Sequence, residues 1–344
     1  MKTLQTIAFL YNVRRVFPNP EDDDNLWQTD YDDQTTIDEM IRVLQGLGYE
    51  VLPIEADDTA FAKLKENRQK IDLAYNFSIG TFGQNRYAQI PAILEMLQIP
   101  YTGSDVLTQA LILNKYKMQE VLKANNIPVL PSQLFESEND TLTLKEGFPY
   151  MVKPVAQGSS AGISNDSVVN SMEELKRQVS WIRKYLKQGA LVQPFLTGRE
   201  FSIPLLGNPP ECLPIVEPVF SKLPEKFLPL DSLEVKWIYE DAAIENHLAC
   251  PANLTRELKA QIENLAKKTF AALNMRDYCR IDMRQSHKTG EIYILDVNSP
   301  PGMQPPIVSK SSYFPLSAGV FGLEYSALLK RILETAWKRY NQPE

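Results

Sequence analysis

Arg280-Ile281-Asp282 and Ile294-Leu295-Asp296-Val297-Asn298-Ser299-Pro300-Pro301-Gly302 carry the densest chemical pattern in this chain. Apolar and polar residues alternate through Tyr278–Arg284 and again through Glu291–Val297, the period of two that marks strands. Residues two apart on a strand share a face. Arg280 therefore points with Asp282, and Asp296 points with Asn298. If the strands are neighbours, two carboxylates, an amide oxygen and a fixed cation gather at one sheet end. Such oxygens are hard ligands suited to Mg²⁺, which keeps positions open for water and phosphate. Any one of these acids alone reads most simply as an ordinary sheet-edge residue. The spaced set favours a metal site.

Upstream, Tyr150–Pro154 reads as a strand and runs into Gln157-Gly158-Ser159-Ser160-Ala161-Gly162. A Gly/Ser-rich loop lets backbone N–H groups approach phosphates closely, and Lys153 on the strand adds a point charge. No Gly-Lys-Ser/Thr follows, so the loop is not a Walker A loop, and no G-x-G-x-x-G stands for a dinucleotide fingerprint. Taken alone it is a common turn. Between the two regions lies Gln193-Pro194-Phe195-Leu196-Thr197-Gly198-Arg199-Glu200. A strand crossing there offers backbone groups to a purine edge, and Glu200 offers a carboxylate to ribose hydroxyls. An ordinary crossover is the plainer reading of that stretch in isolation.

The first hundred residues alternate strand and helix. Strands are expected at Thr6–Val13, Glu50–Ile54 and Asp72–Asn76, and helices at Thr36–Leu47 and Gln89–Leu97, which gives a small parallel sheet with crossover helices. One helix is expected over 108–126, another over Ser171–Tyr185 with a Ser171/Glu174 capping box, another over Leu254–Leu273, and an amphipathic one over Leu323–Lys338. Strands are also expected at Ala190–Phe195, Glu200–Leu206 and Ile215–Val219. The fold class is mixed, α/β at the start and α+β after it.

Composition narrows the function. Lys plus Arg total 36 against 43 acids, a net charge of −7, which argues against a broad basic face for nucleic acid. Nine of the acids fall between residues 21 and 39, a stretch without Lys or Arg, so one segment accounts for the imbalance. It reads as a solvated loop, or as a lure for an amine-bearing substrate through Asp22, Asp23 and Asp24. Three scattered cysteines and two histidines point to a reducing compartment and leave little for a zinc site or histidine catalysis. No apolar run is long enough to span a bilayer or serve as a signal core. A cytoplasmic enzyme without membrane partners is expected.

In this order the pieces resemble the ATP-grasp superfamily and, within it, the D-alanine–D-alanine ligase family. The strings that carry the resemblance are Tyr101-Thr102-Gly103, Asn114-Lys115, Lys153-Pro154 with Gly158–Gly162, Phe195–Phe201, Val235-Lys236-Trp237, Cys250-Pro251-Ala252, Arg280–Asp282 and Asp296–Met303. The resemblance implies three domains: a parallel-sheet substrate domain over 1–104, a central domain with a Gly/Ser lid over 105–196, and a metal-bearing domain over 197–344. It implies that Lys115 and Lys153 hold ATP phosphates beneath Gly158, Ser159 and Ser160. Gln193, Phe195 and Leu196 would border adenine, and Glu200 would bind ribose. Asp282, Asp296 and Asn298 would hold two Mg²⁺ ions, with Mn²⁺ as an alternative. Lys236 would reach the γ-phosphate, while Arg280 and the backbone of Gly302 would stabilise an oxyanion. It further implies carboxylate and amine substrates of the amino-acid type, an acyl-phosphate intermediate, and a homodimer.

The acceptor half departs from the family pattern. The Gly-Gly-x-Ser-x-Glu stretch after the first strand is replaced by Tyr11–Phe17, and the tyrosine after the loop lysine by Trp237. The tyrosine–serine–glutamate contact that shuts the family's loop is therefore broken, although Ser159 remains. Arg86 stands where an acid is usual, and reads as a bidentate partner for a substrate carboxylate or as a surface residue. The same reaction on different substrates is expected. A kinase acting on a small molecule and a non-catalytic ATP-binding scaffold are the alternatives.

Overall fold

The computed structural model of the chain describes residues 3–16, 28–239 and 247–341. Its first layer is a parallel sheet of three strands, β1 (Thr6–Tyr11), β2 (Glu50–Glu55) and β3 (Leu73–Asn76), in the order β2-β1-β3. Tyr101 extends it past β3 through Ala74 N to Pro100 O and Thr102 N to Ala74 O. A strand covered on both faces reads as a continuous apolar run. β1 does so because Ile7 and Phe9 enter one core while Ala8 and Leu10 enter another. The first core is closed by α1 (Gln34–Gly46), the second by α2 (Ala60–Asn67) and α3 (Gln89–Leu97). Asp33 caps α1 by accepting from Thr36 N at 2.7 Å.

The helix expected over 108–126 is two helices. α4 (Val106–Leu113) and α5 (Lys115–Ala124) meet at Asn114, whose backbone is extended and whose side chain accepts from Lys117 N at 3.0 Å. Asn114 therefore caps a new helix, and the break aims Lys115 inward from the first turn of α5. Ile112, Met118 and Leu122 of this pair pack on the antiparallel sheet β13-β12-β8-β9. That sheet comprises β8 (Glu200–Leu206), β9 (Glu211–Cys212), β12 (Tyr278–Gln285) and β13 (Ile292–Asn298), and α7 (Arg256–Ala272) lies in the same core.

The remaining large sheet, β4-β7-β5-β6, is antiparallel: β4 (Gln133–Phe135), β7 (Ala190–Pro194), β5 (Tyr150–Pro154) and β6 (Val168–Val169). It packs against α6 (Met172–Leu186). Ser171 caps α6 as expected, accepting from Glu174 N at 3.2 Å, but the Glu174 carboxylate accepts from Asn170 N and does not complete a capping box. The strand expected at 215–219 shrinks to β10 (Glu217–Pro218), paired with β11 (Leu248–Ala249), because Val216 bridges Ser202 instead. The chain ends in α8 (Tyr313–Val320) and α9 (Tyr325–Asn341), whose Phe314, Leu328 and Ile332 return to the core of the first sheet. No helix among the described residues is long and apolar enough to cross a membrane.

Asp277 pins these layers together. Its fully buried carboxylate accepts from Gly103 N, Asn208 Nδ2, Arg339 Nε and Arg339 Nη2 at 2.6–3.0 Å. It joins the turn after the first sheet, the end of β8 and the last helix, just before β12 enters the site. Removing one partner of a buried pair strands the other charge, which costs about 3–5 kcal/mol. Asp277→Ala is expected to lower stability by about that much, read as a drop in urea midpoint. An unchanged midpoint would refute this assignment.

Candidate active site

β12 and β13 are antiparallel neighbours, with Asp282 opposite Asp296 and Arg280 opposite Asn298. All four side chains thus stand on one sheet face, while Ile281, Met283, Ile294 and Val297 fill the core behind. The register slips by one residue at Leu295. Such a bulge inserts a residue and re-aims its neighbours. Here Leu295 and Asp296 both line cavity, although they are adjacent in sequence.

Asp282 is the hub of the cluster. Its Oδ1 accepts from Arg280 Nε at 2.8 Å and Ser202 Oγ at 2.6 Å, and its Oδ2 from Arg280 Nη2 at 2.9 Å and Asn298 Nδ2 at 2.8 Å. Burial works against its charge, but Arg280 outweighs burial and holds the carboxyl below the usual range. Asn298 gives its amide N–H to Asp282, which leaves its oxygen for a cation. Lys115 Nζ lies 2.9 Å from Asp296 Oδ2 and donates to Gln157 O at 2.7 Å, tying the Gly/Ser loop to the carboxylates. Among the described residues no group of three His, Cys, Asp or Glu side chains is arranged to hold a metal ion by itself. The donor set Asp282, Asp296 and Asn298 fits a hard divalent ion whose other positions come from phosphate and water.

Lys153 lies on β5 behind the loop, buried at 7% exposure, and its ammonium makes no ion pair or hydrogen bond among the described residues. Burial pushes it down to about 8. Asp296, Glu200 and Asp282 favour its charge without pairing with it directly, and a buried cation with no direct partner suits an anion. Beside it, Met151, Phe195, Leu196, Leu230 and Leu295 form the apolar part of a cavity that Gln193, Glu200 and Arg284 also line. Burial pushes Glu200 up to about 7, against the pull of Arg284 Nη1 at 3.1 Å. The Gln193 side chain donates to Gln119 Oε1 at 2.9 Å.

Ser159 and Ser160 both adopt left-handed backbone, φ 48° and 58°, at a cost of roughly 1–2 kcal/mol each. Backbone strain of this kind concentrates at ligand clamps. The loop meets a second loop carrying Lys236: Ser160 Oγ donates to Asp231 O at 2.7 Å and Leu233 N to Ile163 O at 3.0 Å. Lys236 sits on a π-helical turn, Val235–Tyr239, with its ammonium 2.9 Å from Asp231 Oδ2. Burial opposes that charge, but Asp231 outweighs it and raises the lysine.

A second cavity adjoins the first. Lys115, Lys236, Asp282 and Asp296 line both, and Arg280, Asn298, Ser159 and Gly302 line the second. The far wall is Asn12, Asp30, Tyr31, Asp32, Tyr87 and Gln304. Burial pushes Asp32 up to about 7. Arg86 is not on that wall. Its guanidinium is buried and paired with Asp30. Asp22, Asp23, Asp24 and the Trp237 side chain lie outside the described residues.

Sequence reasoning missed Ser202, Asp231 and Arg284, and singled out Asp30 and Asp32 only as members of the acidic segment. Arg284 stands two residues past Asp282 and obeys the same face rule. Ser202 needed the β8–β12 register, which pairs it with Asp282.

The family model "D-ala D-ala ligase C-terminus" matches residues 113–334, more than half of the chain. An uncharacterised protein of Sinorhizobium fredii is 32% identical over 310 residues, 88% of each chain. The D-alanine–D-alanine ligase of Mannheimia succiniciproducens is 30% identical over 307 residues, 87% of this chain and 91% of that one. The crystal structure of D-alanine–D-alanine ligase from Bacillus anthracis complexed with ATP shares the fold, with a TM-score of 0.72 at 23% identity over 97% of this chain and 98% of that one. The chain therefore belongs to the D-alanine–D-alanine ligase family of ATP-grasp enzymes and is an ATP-dependent ligase.

Proposed function

We propose that this enzyme joins a carboxylate substrate to an amine through an acyl phosphate, using ATP, on amino-acid-type substrates other than the family's usual pair. The observation that carries the reading is the buried ammonium of Lys153, without a direct ion pair among the described residues, in the cavity that Asp282 and Asp296 also line. Phosphoryl transfer needs positioning and charge neutralisation more than a protein nucleophile. Lys115 and Lys153 would hold phosphate oxygens from two sides, under a loop fixed by Ser159 and Ser160. Adenine would lie against Phe195 and Leu196, with Glu200 at the ribose.

Asp282, Asp296 and Asn298 would hold one or two Mg²⁺ ions, which supply neutralisation of phosphate charge when bound. Asp282 also orients Arg280, through two hydrogen bonds, toward the wall shared with Gly302. An oxyanion formed there meets a fixed guanidinium and a backbone N–H, and removing one such donor costs roughly 10²–10³ in rate. Lys236 would leave Asp231 for the γ-phosphate. In the same reading residues 1–104 recognise substrate, 105–196 provide the lid, and 197–344 carry the metal ligands.

Altered substrates are supported by the far wall. Asp30, Tyr31, Asp32 and Tyr87 occupy it. The test is ADP release from Mg–ATP, screened over pairs of amino acids and amines, with products read by mass. Release that depends on two substrates is the expected result. Dependence on one hydroxyl substrate alone would replace this reading with a kinase, and no turnover with a scaffold.

A further inference from the structure

We infer that Asp30 is the positioning residue that holds the Gly/Ser loop shut over the reaction cavity, through a buried clasp with Arg86 and Gly158; the inference rests on the ligase reading above. The Asp30 side chain is 2% exposed and that of Arg86 8%. Arg86 Nη2 donates to Asp30 Oδ2, and Arg86 Nη1 reaches across to Ala156 O at 3.2 Å. Gly158 N donates to the same Asp30 oxygen at 3.2 Å, and Tyr87 OH lies 3.4 Å from it. Asp30 precedes α1, and Arg86 opens the short 3₁₀ turn Arg86–Ala88 before α3. Ala156 and Gly158 are the foot of the loop that follows β5. The clasp therefore fastens the parallel-sheet region to the phosphate loop, where this chain lacks the family's glutamate.

Gly158 is shaped to this contact. A Cβ there would lie 2.4 Å from Asp30 Oδ1 and 2.7 Å from the Tyr87 hydroxyl. Any side chain would push the loop off the acid. Other fastenings include Ser160 and Ile163 to the 221–239 loop, Lys115 to Gln157 O, and Ala156 N to Gln188 Oε1 at 2.6 Å. Asp30 supplies the negative charge on the parallel-sheet side. A loop that opens admits water, and water competes with the amine for an acyl phosphate.

The experiment uses the full chain and the variant Asp30→Asn/Arg86→Gln, which removes both charges together. Amide hydrogen exchange over 156–160 is expected to quicken about tenfold or more, the size of one charge-assisted hydrogen bond. Exchange in β5 and α3 stays at the wild-type rate. Amine-independent ADP release from Mg–ATP and the carboxylate substrate rises relative to amine-dependent release. Where the double variant does not fold, Gly158→Ala opens the clasp from the other side with every charge retained. Loop exchange at the wild-type rate, or a rise spread evenly through β5 and α3, overturns the clasp. Lack of amine-dependent ADP release in the wild type overturns the ligase reading and leaves the exchange measurement to decide the clasp alone.

Discussion

Asp282→Asn is expected to lower kcat/KM by about three orders of magnitude and stability by about 3 kcal/mol. The two losses share one cause. A single buried carboxylate accepts two bonds from Arg280, one from Ser202 and one from Asn298. An amide cannot neutralise the guanidinium, so the variant leaves Arg280 charged and buried at 11% side-chain exposure. Asp296→Asn provides the contrast. Asp296 is 24% exposed and its partner Lys115 keeps the Gln157 carbonyl. Its loss leaves Lys115, whose side chain is 5% exposed, on that one carbonyl, and should cost about 1–3 kcal/mol. Activity should still collapse, and the Mg²⁺ concentration for half-maximal ADP release should rise. Urea melts and Mg²⁺ titrations on both variants check this. If Asp296→Asn keeps the wild-type Mg²⁺ dependence, Asp296 is not a metal ligand.

The regularities that operate within a few residues were legible in the sequence. Period-two alternation located β12 and β13 and put Arg280, Asp282, Asp296 and Asn298 on one face. The continuous apolar run at β1 announced a strand covered on both sides. Those signals are local because strand geometry is local. Asn114 was not read as a break, because apolar residues continue at helical spacing on both sides of it and only its cap geometry separates α4 from α5. The site's supporting contacts are long-range. Ser202 reaches Asp282 across eighty positions, and Arg86 reaches Asp30 across 56. Nothing in either local string demands its partner. Arg86 shows the consequence: its residue type suited a substrate carboxylate, but the fold supplied a protein carboxylate first. Asp30 shows the converse, since it belongs to the acidic stretch that reads most simply as solvated and is among its buried members.

Lys153→Met is expected to weaken ATP binding about 10- to 100-fold, the worth of a charge-assisted hydrogen bond in a buried site. A pH signature separates this from a packing defect. The folded lysine titrates near 8, whereas an unfolded one titrates near 10.4. Between those values the unfolded chain binds more protons, so the empty enzyme gains stability as pH rises through that window. Below pH 8 the ammonium is charged in both states and its burial penalty is fully present. Phosphate oxygens reverse the balance by favouring the charged form. ATP binding above pH 8 must then draw a proton onto Lys153, and affinity must fall as pH rises. Calorimetry at pH 8.5 in two buffers of different ionisation enthalpy should report uptake of a fraction of a proton in the wild type and less in Lys153→Met. Equal uptake in both proteins would show that another group titrates, and would remove Lys153 from the phosphate site.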